Sequence, residues 1–169
     1  KLKSQKINNV IMEASSHGLS QNRLDGLKFS LGIFTNLSQD HLDYHKNFKE
    51  YFKAKQYLFE NLIRKKGNVI VDETIPEFKR IKKIAISRKL KVQALNNSKN
   101  QIQILSHCFN GDKQILKIKY NNLTREVNLN LIGKIQLKNI LMAILAAKNS
   151  DLSLIKILNV LSKLKPIDG

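Results

Sequence analysis

The chain has 169 residues, of which 42% are hydrophobic and 25% are charged, which suffices for one domain with a packed core. No run approaches the roughly 18 apolar residues of a membrane-spanning helix, which argues against membrane insertion. The net charge is +17, a balance that suits a polyanionic partner such as nucleic acid, a membrane surface or a phosphorylated small molecule. The basic residues are mostly Lys and are spread along the chain, so Lys-rich solvated surfaces explain the charge equally well.

The chain ends and the single cysteine indicate the context of the sequence. The chain begins at Lys1 without an initiator Met or an apolar leader, and it stops at Gly169 without a finished terminus, so we expect a fragment of a longer protein. Cys108 is the only cysteine, which excludes an intrachain disulfide and favours a cytoplasmic location. Because Cys108 lies in an apolar stretch, we expect it to be structural.

In the first half of the chain, short apolar runs alternate with helical patterns. Residues 47–66 predict an amphipathic helix, with Asn47 as N-cap, Glu50 as its capping-box partner and Gly67 at its end. The other predicted elements are strands at 7–12, 31–36, 69–71 and 83–87, a short helix and turn between the first two strands, and a short helix at 74–81.

From residue 101 onward, runs of alternating apolar residues are joined by Asn- and Gly-containing turns, which predicts an antiparallel meander. Together with the alternating strands and helices before it, this predicts an α/β fold: a mainly parallel sheet flanked by helices, with the meander added, in one domain over residues 1–169. The predicted elements here are strands at 101–108, 114–120 and 124–131, a helix at 136–148 and a last helix at 152–164 capped by residues 150–151.

Polar and charged side chains follow two of the predicted strands. Glu13 and His17 come directly after the first strand, and Asp40 and His41 follow the second. Because ligands bind at the carboxyl ends of strands in open α/β sheets, we expect these side chains to face one edge. Carboxylate and imidazole groups are suitable ligands for a divalent cation beside phosphates.

Lys55 occupies an unusual place in the predicted helix. It lies three and four residues from Phe52 and Tyr51, and three and four residues before Leu58 and Phe59, so it shares their apolar face. A lysine on such a face extends its amine to water, pairs with an acid, or loses its charge. A neutral amine is nucleophilic and can take up carbon dioxide as a carbamate, which is an anionic metal ligand.

Three motifs follow one another in the first 60 residues. They are Met12-Glu13-Ala14-Ser15-Ser16-His17-Gly18-Leu19 with Gln21 and Arg23, Phe34-Thr35-Asn36-Leu37-Ser38-Gln39-Asp40-His41-Leu42-Asp43-Tyr44-His45, and residues 51–59 with Ala54-Lys55. In this order and spacing they resemble the central domain of the Mur ligases, a P-loop NTPase-like fold. The resemblance is strong over about residues 10–60 and looser beyond. It favours the branch that adds a diamino acid, diaminopimelate or lysine, to UDP-MurNAc-L-Ala-D-Glu.

The resemblance implies a metal site and two binding sites. Glu13 and His41 match the family's Mg²⁺ ligands, and Lys55 matches the lysine whose carbamate positions Mg²⁺ and the γ-phosphate of ATP. Ser15, Gln21 and Arg23 match family positions that bind the dipeptide nucleotide. In the family, a Gly-Arg/Lys-Phe-Asn-x-x-Asn segment lies near the adenine of ATP, and residues 133–139 resemble it. Asn139 keeps the second Asn of this segment, and Gln136 replaces the first.

The implied activity is ATP-dependent ligation through an acyl phosphate. Because the sequence lacks a Gly-x-x-Gly-Lys-Thr/Ser phosphate loop and the C-terminal domain, we expect this fragment alone to be inactive. Two alternatives remain: another Mur-type ligase, such as a folylpolyglutamate synthase or a cyanophycin synthetase, and a basic nucleic-acid-binding module. The Ser15–Arg23 pattern favours the peptidoglycan branch, and the acidic strand ends argue against a nucleic-acid partner.

Overall fold

The computed structural model describes residues 4–37, 44–95, 102–111, 113–130 and 133–164. Helices and strands alternate first, and three consecutive strands and two helices follow. In chain order the elements are α1 (Ser16–Ser20), β1 (Phe29–Phe34), α2 (Phe48–Tyr57), a π-helical turn (Leu58–Leu62), β2 (Ile63–Asp72), α3 (Phe78–Ser87), β3 (Lys91–Leu95), β4 (Gln103–Asn110), β5 (Lys113–Tyr120), β6 (Leu123–Leu129), α4 (Lys134–Lys148) and α5 (Leu154–Leu161).

A parallel sheet of three strands lies at the centre of the fold. Its order is β1-β2-β3, and the crossovers between consecutive strands contain α2 and α3. Val69 of β2 packs in the core with α2 and α3, whereas Ile70 packs on the opposite face with α4. Because the strands run in one direction, their carboxyl ends at Phe34, Asp72 and Leu95 lie at the same edge of the sheet.

The predicted meander is confirmed. Strands β4, β5 and β6 form an antiparallel sheet, and Leu116 and Ile118 of β5 share a core with α4 and α5. The predicted α/β fold class is therefore also confirmed, with α2 and α3 on one face of the parallel sheet and α4 on the other. In the described ranges, no helix is both long enough and apolar enough to cross a bilayer.

The predicted strand at residues 7–12 is wrong. These residues have no regular structure, and four of their apolar side chains are exposed: Ile7, Val10, Met12 and above all Ile11, at 99%. An apolar run becomes a strand only where a neighbouring strand pairs with its backbone. Within the described part of the chain, β1 pairs with β2 and no strand pairs with this segment.

The predicted helix at 47–66 has its expected start but an earlier end. The Asn47 side chain accepts a hydrogen bond from the Glu50 backbone amide at 2.9 Å, which is the predicted N-cap. The chain then passes through the π-helical turn and enters β2 at Ile63. Gly67 therefore lies inside β2 instead of ending the helix.

Arg88 holds the junction between the π-helical turn and β2. Its guanidinium donates hydrogen bonds to three backbone carbonyls, those of Phe59 at 3.3 Å, Ile63 at 3.0 Å and Glu60. The last carbonyls of a helix have no partner within the helix, so an outside donor must satisfy them or leave them to water. This cation lies far along the chain, which is why the helix end was not predicted.

The predicted strand at 83–87 is also wrong, because these residues complete α3. Ile81 and Ala85, four residues apart, are both fully buried, so the helical period decides the structure of this segment. The predicted helix at 74–81 therefore overlaps only the start of α3. The third strand of the sheet, β3, was not predicted from the sequence.

Two smaller predictions also need correction. Cys108 is an exposed free thiol on β4, an edge strand of the meander, so the prediction that it packs as a structural residue is wrong. The last helix is capped by Ser153 instead of residues 150–151, since the Ser153 hydroxyl accepts a hydrogen bond from the Lys156 amide at 3.4 Å.

Candidate functional site

The first motif folds as a loop and the short helix α1. Ser15 is the N-cap, and its hydroxyl accepts a hydrogen bond from the Gly18 amide at 3.1 Å. A Cβ at Gly18 would lie 3.2 Å from the Ser15 hydroxyl, so glycine suits this turn. The next side chain, Ser16, is buried at 2% exposure, and its hydroxyl has no hydrogen-bond partner among the residues that the structure describes. A hydrogen bond between two residues of the motif, Ser15 and Gly18, therefore stabilises its turn.

Tyr44 connects the first motif to the second. Its hydroxyl accepts hydrogen bonds from Gln21 Nε2 at 3.0 Å and from the Ser20 hydroxyl at 3.3 Å. These two bonds, together with the positive charge of Arg23, lower the pKa of the Tyr44 phenol below its usual value of 10.0, against a smaller opposing effect of burial. Gln21 thus contacts the phenol oxygen, and the charge of Arg23 acts on it; both residues, predicted to bind substrate, remain exposed.

A group of rings joins both motifs to α2. His17 lies against Tyr44, with ring centroids 4.0 Å apart, and 5.7 Å from His45. His45 is buried at 5% exposure and stacks on Tyr51 of α2 at 5.1 Å. The first motif therefore meets residues 44–51, which are more than 20 residues further along the chain, at one place.

Lys55 lies at the carboxyl end of β1. Its Nζ donates a hydrogen bond to the Asn36 carbonyl at 3.2 Å, just after the strand ends. The same nitrogen is 5.0 Å from the centroid of the Tyr51 ring and 5.9 Å from that of Phe34, and the side chain is half-buried. The predicted apolar face is thus found, and the amine reaches the strand-end edge of the sheet.

Of the other two predicted metal ligands, the structure describes Glu13 only. Glu13 is exposed in the loop before α1, and His41 lies outside the described residues. Among the residues that the structure describes, no three His, Cys, Asp or Glu side chains are grouped closely enough to hold a metal ion. The convergence of Glu13, His41 and Lys55 therefore stays a prediction.

A second polar cluster lies at the carboxyl end of β2, beside the first turns of α4. The buried Asp72 carboxylate contacts Lys138 Nζ at 2.5 Å and accepts two hydrogen bonds from Thr74, at 2.9 Å from the amide and 2.7 Å from the hydroxyl. Next to Lys138 along α4 are Asn139, half-buried, and Gln136, exposed. The two residues predicted near adenine thus lie beside the central strand.

A parallel sheet with polar clusters at the carboxyl ends of two adjacent strands is typical of α/β domains that bind ligands at that edge. A family model described as the Mur ligase middle domain matches residues 1–147, and the chain belongs to this family.

Similar proteins agree with this assignment. The chain is 34% identical, over 99% of its length, to a UDP-N-acetylmuramoyl-L-alanyl-D-glutamate--2,6-diaminopimelate ligase of Leptospira interrogans, and 35% identical, over 97%, to ligase 1 of that name in Clostridium acetobutylicum. A solved structure of a ligase of the same name superposes with a TM-score of 0.80 at 25% identity, covering 93% of this chain and 32% of that one. The chain spans about a third of the relatives' length, 34% and 33% respectively.

Sequence reasoning missed several residues of this region. Tyr44 and His45 belong to the second motif, but the sequence analysis gave them no role. Their position in the same motif as His41 could have indicated that they lie near the site. Asp72 and Lys138 were not singled out at all. A carboxylate that ends an apolar strand was visible in the sequence, but its lysine partner was not.

Proposed function

We propose that this chain is the central part of an ATP-dependent ligase of the cytoplasm that joins a diamino acid to UDP-MurNAc-L-Ala-D-Glu through an acyl phosphate. The support is membership of the Mur ligase family and similarity, over nearly the whole chain, to ligases named for diaminopimelate. The ligated amino acid is proposed as diaminopimelate because those names specify it.

The observation that carries the proposal is the position of Lys55. Its amine donates a hydrogen bond to the Asn36 carbonyl at the end of β1 and lies near the rings of Tyr51 and Phe34. The neutral form of such an amine reacts with carbon dioxide to give a carbamate. The resulting carbamate would place an anionic oxygen donor at the edge where ligands bind.

The proposed donor set suits Mg²⁺. A carboxylate from Glu13, an imidazole from His41 and a carbamate oxygen from Lys55 are oxygen and nitrogen donors, whereas an ammonium at Lys55 could not be a ligand. When bound, Mg²⁺ supplies charge neutralisation at the phosphates of ATP. These side chains would hold the ion, while Ser15, Gln21 and Arg23 would orient the dipeptide nucleotide.

The test is Lys55→Ala in the intact gene product. ADP release that depends on UDP-MurNAc-L-Ala-D-Glu and diaminopimelate should fall roughly 100-fold, because an anionic group beside the transferring phosphoryl group is lost. Acetate or formate added to the variant should restore part of this rate by replacing the carbamate oxygens.

The matched control is Lys53→Ala, because Lys53 is exposed two residues away on the same helix. This variant should keep the wild-type rate. Unchanged turnover by the Lys55 variant would refute the carbamate role. A wild-type enzyme that couples ATP hydrolysis to a folate and glutamate instead would refute the choice of substrate.

A further inference from the structure

We propose that the Lys138–Asp72 ion pair positions the ATP-binding turn of α4, which makes Lys138 a positioning residue for the adenine of ATP. The pair holds the first turns of α4 against the carboxyl end of β2, and Gln136 and Asn139 are carried by those turns. This inference rests on the proposed function, because it requires an ATP-dependent ligase whose adenine site is at residues 133–139, as the resemblance to the family implies.

The carboxylate of Asp72 is built into the end of the central strand. Asp72 has 0% exposure, and Thr74 holds one carboxylate oxygen through its amide and its hydroxyl. The other oxygen contacts Lys138 Nζ. A buried carboxylate without a cation is strongly unfavourable, so the position of the carboxylate determines where the ammonium, and with it the helix turn, must lie.

Within the described residues, no side chain caps the start of α4. Its N-cap is Gly133, which has a φ of 111° and makes no side-chain capping bond. The far end of α4 is tied separately, because the amides of Asn149 and Gln93 of β3 exchange two hydrogen bonds at 2.9 and 3.2 Å. In addition to its apolar packing, α4 thus has two polar attachments to the sheet in the described part of the chain. Of these two, the Lys138 attachment lies beside Gln136 and Asn139.

Adenine recognition is sensitive to such positioning. The base is neutral and planar, so amide side chains recognise it through hydrogen bonds that weaken steeply with misalignment. A loosened first turn should therefore weaken ATP binding and leave the chemical step nearly unchanged. This consequence separates a positioning role from a direct contact of Lys138 with phosphate, since a lysine released from Asp72 would still reach a phosphate.

The experiment measures kcat and the KM of each substrate for the intact enzyme and five variants: Lys138→Met, Asp72→Asn, the double variant, Lys138→Arg, and Asn149→Ala as the matched control. Lys138→Met and Asp72→Asn should each raise the KM for ATP roughly fivefold, with kcat and the other KM values little changed. The double variant should be no worse than the more affected single variant, and Lys138→Arg should restore most of the affinity. Asn149→Ala should lower the Tm without changing the KM for ATP.

The inference would be overturned by a KM for ATP that is unchanged in Lys138→Met, by an increase of the same size in Asn149→Ala, or by strictly additive effects in the double variant. An ATP effect in Lys138→Met but not in Asp72→Asn would also overturn it, since Lys138 would then contact the nucleotide directly. Failure of the proposed function is distinguishable, because the wild-type enzyme would then show no ATP-dependent ligation. The Tm of each variant confirms that it is folded.

Discussion

Asp72 is a charged side chain that folding removes from water. Burial alone would raise its pKa, but the hydrogen bonds from Lys138 and Thr74 together outweigh burial and hold the pKa of this carboxyl below its usual 3.8. The ionised form is therefore favoured by folding. Its stabilisation is complete above the unfolded pKa and is lost as the pH falls through the lower folded pKa.

This sign gives a prediction at the scale of one residue. Asp72→Asn should lower the free energy of unfolding by about 1–3 kcal/mol at neutral pH, because it removes the charged partner of Lys138. Urea unfolding of both proteins between pH 7 and pH 2.5 measures the difference. The difference should stay constant down to about pH 4 and shrink below it. A difference that grows on acidification would contradict this account.

Helices and strands whose residue pattern lies within a short stretch of sequence could be predicted. Those whose presence or boundaries depend on contacts with distant residues could not. The meander and α4 followed from alternation, turn residues and helical spacing, and Asn47 caps α2 as predicted. The end of that helix depends on Arg88, and the segment at 7–12 depends on whether a neighbouring strand pairs with it. Neither dependence is visible within a window of local sequence.

Arg88 offers the prediction at the scale of elements. Arg88→Met should destabilise the protein by about 1–3 kcal/mol, because three carbonyls, two of them partly buried, lose a charged donor. Thermal unfolding followed by circular dichroism measures the loss.

The controls for Arg88 are chosen on the same helix and at the same position. Arg80→Met removes an exposed cation from α3 and should change the Tm far less. Arg88→Lys should recover only part of the loss, since an ammonium cannot match the planar geometry of the guanidinium. A full recovery by Lys would mean that charge alone matters at this junction.

The candidate site shows the same division between local and distant signals. The helical spacing placed Lys55 on an apolar face, and the structure adds that its amine reaches Asn36 at the end of β1. The contact between Gln21 and Tyr44 was not predicted, because a phenol and an amide give no sign in sequence of which partner they take. The order of the motifs thus indicated which segments contribute to the candidate site. The contacts between those segments were found only in the structure.

At the scale of the whole molecule, the charge balance dominates. The chain carries 30 basic against 13 acidic residues, so its net charge of +17 produces repulsion in the compact state. Salt screens this repulsion, and the screening length falls from about 30 Å at 0.01 M to about 8 Å at 0.15 M.

We therefore expect the Tm to rise by a few degrees when NaCl is increased over this range, because folding concentrates like charges. Differential scanning fluorimetry at constant pH measures the change. An uncharged osmolyte at equal osmolality is the control and should have a smaller effect. A Tm that falls with NaCl would show that attractive ion pairs outweigh the repulsion.

The exposed thiol on β4 has a practical consequence for measurements of binding and unfolding. Cys108 is the one cysteine of the chain and lies on the surface of an edge strand, outside the parallel sheet. A maleimide fluorophore would therefore attach at a single defined position without any engineered substitution. Such a label gives the wild-type sequence its own optical reporter for binding and unfolding.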